Sequence, residues 1–490
     1  MCALWVFASL ALVNLAHADD PDVTIGSKKF TESVVLAEIL SQLATEHGAS
    51  VRRRSELGGT RVLWSALQRG AIDAYPEYTG TVATEILDTR IDDLRERLKA
   101  EGIAMSAPLG FNNTYVLGMR EAQAEQLGVE TISDLVEHPE LRFGFSNEFM
   151  DREDGWPGLR RTYSLPQRDV RGMDHDLAYR GLAAGSIDVV DLYATDAEIE
   201  YYGLRRLRDD LDYFPRYDAV ILYRVDLETR APGVVTAFER LEDQVSAAEM
   251  TRLNAEAKID KRPPAEIASE FLFHELGVQT EAPSESAWGR FWTNTWAHLV
   301  LVFVSLGMAI LAAVPLGVLA ARRERAGQWI LGTVGIVQTI PALALLVFMI
   351  PLLGIGAAPA IAALFLYSLL PIVRNTYAGL HDIPRPLMES AVVLGLTPRE
   401  RLRHVELPLA ARSILAGVKT SAVINIGTAT LGALIGTGGY GQPILTGIRL
   451  DDVSLIMQGA VPAAGLALVC QAAFEVAERR IVSRGLRPPD

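Results

Sequence analysis

The sequence predicts an α/β domain exposed to water followed by an all-α domain of five membrane-spanning helices, and three observations carry that expectation. Charge is divided unequally along the 490 residues: from Phe291 to Asp490 there are 15 Lys+Arg and 10 Asp+Glu, against 31 and 50 before Phe291, so an acidic part at −19 precedes an apolar part at +5. Short β-like runs alternate with helical runs over residues 22–275, the pattern of mainly parallel sheets covered by helices. Beyond Trp296 five apolar stretches follow one another, each near or above the ~17–25 residues a helix needs to cross a bilayer. The acidic balance of the first part argues against nucleic-acid binding, which needs basic surface to neutralise phosphates.

The chain opens on MCALWVFASLALVNLAHA, an apolar run of signal-peptide length ending in the small-x-small pattern Ala16-His17-Ala18. Residues 1–18 read as a signal peptide or, since positive charge is missing ahead of the run, as an uncleaved N-terminal anchor. Either places residue 20 onward outside the cytoplasm. Cys2 and Cys470 are the two cysteines, so the soluble part has no disulfide framework.

From there DVTIGSK reads as a strand, TESVVLAEILSQLATEHG as an amphipathic helix, VRRRSEL as a strand and TRVLWSALQRG as a helix, followed by AIDAYPEYTG; LRFGFS and SIDVVDLYATD are later strands. Ligands of such folds sit at the carboxyl ends of strands. Tyr75, Tyr78, Tyr115, Tyr193 and Tyr217 fall at or near such ends. A single tyrosine there is usually an amphipathic plug with a wet hydroxyl. Several converging on one cleft make an aromatic cage, suited to a quaternary ammonium that cannot donate hydrogen bonds. Asp73, Glu77, Asp191 and Asp196 lie nearby, but no nucleophile–base pair or metal-ligand cluster accompanies them, so neither enzyme chemistry nor a cofactor is expected. A polar amino acid as ligand would call for an arginine clamp on its carboxylate, for which Arg61 and Arg142 are the nearest candidates.

IGSKKFTES, GGTRVLWSALQRGAIDAYPEYTGT, LGFNNTYVLGM and DLYATDAEI, in this order and across nearly all of these residues, resemble binding proteins of the osmoprotectant importers for glycine betaine, choline and carnitine. The resemblance implies a two-lobed periplasmic-binding-protein fold (type II-like) that closes by a hinge, within an extracytoplasmic domain 20–275. Lobe one would be 20–110 with 216–275 and lobe two 111–212, joined by crossings near Leu109–Asn113 and Asp212–Asp218. Carried onto matching positions, it implies a cage of Tyr78, Tyr115, Tyr193 and Tyr217 with Thr81 and Asn113 as polar neighbours. Ser33 stands where the family often has Gln, which leaves the contact to a ligand carboxylate, and hence betaine or choline, open. Ergothioneine, another trimethylammonium compound, is bound by relatives of the group. A polar linker, 276–290, then joins the halves; fourteen of its residues, GVQTEAPSESAWGR, reach at most about 46–50 Å.

The five apolar stretches are roughly His298–Ala321, Gln328–Leu353, Ala357–Val373, Ser413–Ile435 and Val453–Ala477, within a membrane domain 291–490. Arg322, Arg323 and Arg325 follow the first; Arg374, Arg385, Arg399, Arg401, Arg403 and Arg412 lie between the third and fourth; Arg479, Arg480, Arg484 and Arg487 follow the fifth. These share one side, which the positive-inside rule makes the cytoplasm, and Arg449 alone lies on the other. Lys419 and Asn425 are polar within spans and are expected to face a bundle interior or a pathway.

The cytoplasmic loop 380–410 reads as two short helices, the second opened by Thr397-Pro398 and ending before Pro408. Glu389-Ser390-Ala391, three residues, Gly395, nine residues, then Val405-Glu406-Leu407-Pro408 resembles the EAA loop of ABC importer permeases, with Ser for the middle Ala and Val for Ile. That resemblance implies a coupling helix gripped by a cytoplasmic ABC ATPase, and permeases acting in pairs, hence a homodimer. No G-x-x-x-x-G-K-[ST] phosphate loop occurs in the chain, so ATP is expected on another polypeptide. The resulting expectation is a binding protein fused to a permease in a bacterial inner membrane, with the binding domain in the periplasm. A ligand-gated channel is the alternative from another class, and it would leave the coupling loop without a purpose.

Overall fold

The computed structural model describes residues 23–280 and 286–481; the leader 1–18, the middle of the linker, and Arg484 and Arg487 lie outside the described residues. Two compact units divide the chain, one built chiefly from residues 19–284 and the other chiefly from 285–490.

Ten strands form two sheets in the first unit: β1 (Val23–Gly26), β2 (Val51–Arg54), β3 (Ala74–Tyr78), β4 (Ile103–Met105), β5 (Tyr115–Arg120), β6 (Phe143–Ser146), β7 (Val170–Met173), β8 (Val189–Tyr193), β9 (Leu204–Leu207) and β10 (Ala219–Arg224). The first sheet runs β2-β1-β3-β10-β4 and the second β7-β6-β8-β5-β9. The sheets are mixed rather than mainly parallel. β1 pairs in parallel with β2 and β3, and β6 with β7 and β8, whereas β10 and β5 are antiparallel to both of their neighbours. The reason is topological: β5 and β10 are the first strands after the chain passes from one sheet to the other, so each enters its new sheet from the cleft side and runs against the strands already there. The two passages lie side by side, with an antiparallel bridge between Asn112 and Asp218 and the Asn113 amide donating to the Tyr217 carbonyl at 3.0 Å.

Helix α1 (Thr31–Glu46) was expected to be amphipathic, yet it is buried from Thr31 through Ala44. It packs between the first sheet and two helices from the end of the unit, α4 (Ala247–Lys258) and α5 (Pro264–Leu276). Its polar residues are absorbed individually: Arg53 donates to Glu38 at 2.5 and 2.7 Å and Gln42 donates to the Ala265 carbonyl at 2.8 Å. Helix α2 (Thr60–Gln68) covers the same lobe, and α3 (His175–Ala183) covers the second. Apolar side chains such as Ile25, Leu40, Phe238 and Phe271 fill lobe one, and Phe143, Phe145, Phe149 and Trp156 fill lobe two.

The second unit is helical: α6 (Ala287–Arg322), α7 (Glu324–Thr339), α8 (Ala342–Leu353), α9 (Ala357–His381), α10 (Arg385–Val393), α11 (Leu407–Thr428), α12 (Gly441–Arg449) and α13 (Val453–Ile481). Among the described residues, four helical stretches are long and apolar enough to span a membrane, or five if a bent pair counts as one. The bent pair is the predicted second span. It is not one straight helix: α7 and α8 meet at 99°. Pro341 explains the break, because it lacks an N–H and drives the preceding Ile340 out of helical geometry, to φ −72 and ψ 126. Close packing in the bundle depends on small residues; a Cβ on Gly317 would stand 2.5 Å from Thr376, and one on Gly417 2.7 Å from the Pro371 carbonyl.

Candidate functional site

A cleft between the two sheets collects residues from both lobes and from the passages between them. Tyr78 ends β3, Tyr115 begins β5, Tyr193 ends β8, and Tyr217 lies on the passage just before β10; all four line the cleft. Cross-strand register brings Tyr115 opposite Tyr193, with ring centroids 5.2 Å apart. Tyr217 meets Tyr115 edge to face at 5.6 Å, and Phe30, from the loop before α1, closes on Tyr193 at 5.8 Å. Glycine makes one of these contacts feasible: a Cβ on Gly80 would fall 2.6 Å from the Tyr217 ring.

Each ring is fixed by its hydroxyl or its backbone. Tyr217 donates from its hydroxyl to Asp154 at 2.5 Å, and its amide donates to the Asn112 side chain at 2.7 Å. The Tyr78 hydroxyl donates to Glu32. Burial, and then the neighbouring carboxylates, push the Tyr78 and Tyr217 hydroxyls above the usual tyrosine range, so both stay protonated donors. Thr81 and Asn113 also line the cleft, and Asn113 donates to Glu32 at 2.9 Å. Ser33 does not line it. Ser33 is buried and accepts from the Lys28 amide at 2.9 Å, which pins the turn into α1.

Several cleft residues were not foreseen. Lys28 is held by Glu77 at 2.5 Å, with both side chains buried. The Arg152 guanidinium stands 5.6 Å from the Tyr115 ring centre and donates to Asp154 at 2.5 and 2.7 Å. Arg61 and Arg142 stay out of the cleft. Arg142 is occupied by Asp188 at 2.8 Å, and Arg61 is exposed near Glu85. Asp191 and Asp73 are likewise structural: Asp191 accepts from the Ser146 amide and hydroxyl at 2.6 and 2.7 Å, and Asp73 accepts from Arg230 at 2.5 Å. The Ser146 hydroxyl in turn caps the short helix after β6. Asp196 does line the cleft, beside His175 at 3.1 Å. Burial alone would lower the His175 pKa, but hydrogen bonds and charge from Asp191 and Asp196 outweigh it and hold the imidazole well above its ordinary value. The sequence carried little signal for Lys28, Arg152 and His175, because each reaches the cleft from an element distant in the chain.

In the helical unit, Glu389, Ser390 and Ala391 lie on α10, Ala391 facing inward and the other two exposed. Gly395 follows with φ +78, a left-handed conformation that side chains resist, although a Cβ there would meet nothing within 4 Å. Thr397 then forms a capping box with Glu400. The second short helix does not stop before Pro408 as expected. A widened π-type turn at Leu402–Glu406, which includes Val405, absorbs the missing proline N–H, and the chain runs through Leu407 and Pro408 straight into α11. Glu406 is buried and accepts from Arg322 at 3.2 Å and Arg401 at 3.1 Å, fastening the segment to the end of α6.

Two α/β lobes around an aromatic, charge-lined cleft, followed by a multi-pass helical bundle, define a solute receptor carried on the same chain as a transport permease. Residues 21–273 match the substrate-binding domain of ABC-type glycine betaine transport systems, and the chain belongs to that family. Residues 313–484 match the inner-membrane component of binding-protein-dependent transport systems. The chain is therefore a fused binding and permease subunit of an ABC importer, not an enzyme. A choline transport permease of Bacillus subtilis is 45% identical over 199 residues, 41% of this chain and 92% of that protein. A fused ergothioneine permease and binding protein of Helicobacter pylori is 31% identical over 285 residues, 56% of this chain and 50% of that protein. A solved glycine betaine/carnitine/choline ABC transporter structure covers 52% of this chain and 99% of its own, at 30% identity and a TM-score of 0.46.

Proposed function

We propose that the cleft binds a small zwitterion built on a quaternary ammonium group, of the glycine betaine or carnitine type, with choline as a weaker ligand. One observation carries the reading: four tyrosines converge with Arg152 and Lys28 on a single cleft. The π faces suit a cation that is poorly hydrated and donates no hydrogen bond, at about 0.5–2 kcal/mol per ring face. Arg152, set against Tyr115, gives a carboxylate a partner within reach of the cage. Relatives named for choline, glycine betaine and carnitine transport support the ligand class.

Energy would come from a separate cytoplasmic ABC ATPase docking on the segment Glu389–Pro408, where Leu387, Val393 and Leu394 are exposed. The permease would act as a homodimer, for which the exposed apolar face of α13 (Val461, Leu468, Val469) offers surface. The arginine distribution supports a receptor on the extracytoplasmic side. Ergothioneine is the second reading; it is favoured by the named fused relative and by the polar end of the cleft at Asn254 and Lys258.

Calorimetric titration of the purified full chain with glycine betaine, carnitine, choline, ergothioneine and glutamine tests the ligand. Glycine betaine and carnitine are expected to bind most tightly, and Arg152→Ala to weaken both at least tenfold while largely sparing choline. Binding of glutamine alone would remove the quaternary ammonium reading and leave the importer architecture standing.

A further inference from the structure

Glu32, in the first turn of α1, is one of the most enclosed carboxylates of the cleft. One oxygen accepts from the Tyr78 hydroxyl and from Asn113 at 2.9 Å; the other accepts from the Thr195 hydroxyl and from Asn254 at 3.1 Å. Four donors fill the roughly four lone-pair sites that a carboxylate offers. All four are neutral. The other carboxylates buried around the cleft are arranged differently: Glu77 has Lys28, Asp154 has Arg152, Asp196 has His175 and Glu198 has Lys258. With no cation paired to it among the described residues, burial pushes the Glu32 carboxyl up, against the hydrogen bonds from Thr195, Tyr78 and Asn254, and Asp196 pushes it the same way.

The donors also come from different parts of the fold. Tyr78 and Asn254 belong to lobe one, Asn113 to a passage between lobes, and Thr195 to the loop after β8 in lobe two. Closing the lobes therefore removes water from Glu32 and replaces it with neutral donors, leaving a buried negative charge without a counter-charge, an arrangement that costs several kcal/mol in a protein interior.

We infer that Glu32 is a specificity-determining residue: it supplies the counter-charge for the ligand's cation, and because its hydrogen-bonding capacity is already filled, it favours cations that donate no hydrogen bond. A trimethylammonium group satisfies the field without competing for the lone pairs. A primary ammonium would have to displace Tyr78, Asn113, Thr195 or Asn254 to make its own bonds. Tyr78, a ring of the cage, and Thr195, a contact of the opposite lobe, share this carboxylate, so cage geometry and closure respond to the same charge. The inference rests on the quaternary ammonium reading and names what enforces it.

The test compares choline with 3,3-dimethyl-1-butanol, its uncharged isostere, by calorimetry on the full chain. Wild type is expected to favour choline strongly, and Glu32→Gln to reduce that ratio at least tenfold. The glutamine has room to hydrogen-bond, because the Asn254 side-chain oxygen is unpartnered and an amide flip lets it accept. Glu32→Asp, which keeps the charge, is expected to retain most of the discrimination at weaker absolute affinity. Thr195→Val, which keeps the charge and removes only the lobe-two donor, is expected to preserve the ratio and speed dissociation. A wild-type ratio in Glu32→Gln, or a lost ratio in Thr195→Val, overturns the assignment to Glu32 while leaving the ligand class intact. If wild type binds no trimethylammonium compound, the proposed function fails and this inference with it.

Discussion

The receptor and the permease both bury polar side chains, but they satisfy them with different chemistry. In the receptor the interior holds ionised groups in pairs, such as Lys28 with Glu77 and Arg152 with Asp154. In the bundle, leaving aside residues 448–452, the buried polar side chains among the described residues are mostly hydroxyls and amides, such as Ser305, Ser368, Ser421 and Asn425, satisfied by backbone carbonyls or by each other, with Glu406 as a charged exception, held by two arginines at a helix end. The receptor folds in water, where charges can be buried one pair at a time with high-dielectric solvent at hand. A bundle in hydrocarbon has no such reservoir, and an unmatched charge there is expensive. The contrast teaches that buried charge is gathered at the receptor cleft, where ligand binding is proposed, while the bundle is built for close helix packing with little buried charge.

The sharpest way to break that contrast is to remove the centre of the cage. Tyr115→Ala takes away the ring that touches Tyr193, Tyr217 and Arg152 together, and at least a 100-fold loss of affinity for glycine betaine is expected in calorimetry, with uptake lost in parallel. Next in size is a change in the bundle that spares the receptor. Gly395→Val forces a β-branched side chain into φ +78, a strain of about 1–2 kcal/mol that twists α10 away from its exit path. Uptake into proteoliposomes supplied with the ATPase is expected to fall more than tenfold while calorimetric affinity stays unchanged; unimpaired uptake would remove the coupling role of this segment.

A smaller effect sharpens the receptor side. The folded-state pKa of His175 is held above the ordinary imidazole value, so its contribution to stability is fully present below about pH 6.5 and is lost as pH rises through the folded value. The melting temperature of the receptor transition is therefore expected to drop by a few degrees between pH 6 and pH 9, and His175→Gln to flatten that slope; an unchanged slope would place the pH dependence elsewhere. Smallest is Asn425→Leu in the bundle, which deletes the hydrogen bond from Asn425 to the Ser305 hydroxyl at 3.0 Å. Measured hydrogen bonds between membrane helices average about 0.6 kcal/mol. A shift near that size in the denaturation midpoint of the bundle is expected, with ligand binding untouched.

Local signals made much of the architecture legible. Apolar runs near or above the length needed to cross a bilayer mark α6, α9, α11 and α13, because a spanning helix must satisfy its backbone within itself and cover it with apolar side chains. Thr397 followed by Pro398 announces a helix start, to which the structure adds a capping box with Glu400, and the alternation around Val23–Gly26 and Thr31–Glu46 announces strand and helix. The tyrosines at strand ends could be singled out for the same reason: strand ends are fixed by short-range pattern, and side chains there face the mouth of a sheet.

What the sequence determined by itself was therefore the order of elements, the division into receptor and bundle, and the residue types available at the strand ends. Tertiary structure decided the rest. The antiparallel entry of β5 and β10 depends on where the chain crosses between lobes, and the 99° bend at Pro341 depends on whether a proline is accommodated, as Pro408 is, or breaks the helix. Above all, the charges at the cleft came from afar: Lys28 met Glu77, Arg152 met Tyr115, and Glu32 gathered donors from positions 78, 113, 195 and 254. Periodicity reports only neighbours along the chain, and a cleft made at the meeting of two lobes is a property of distances that no local pattern records.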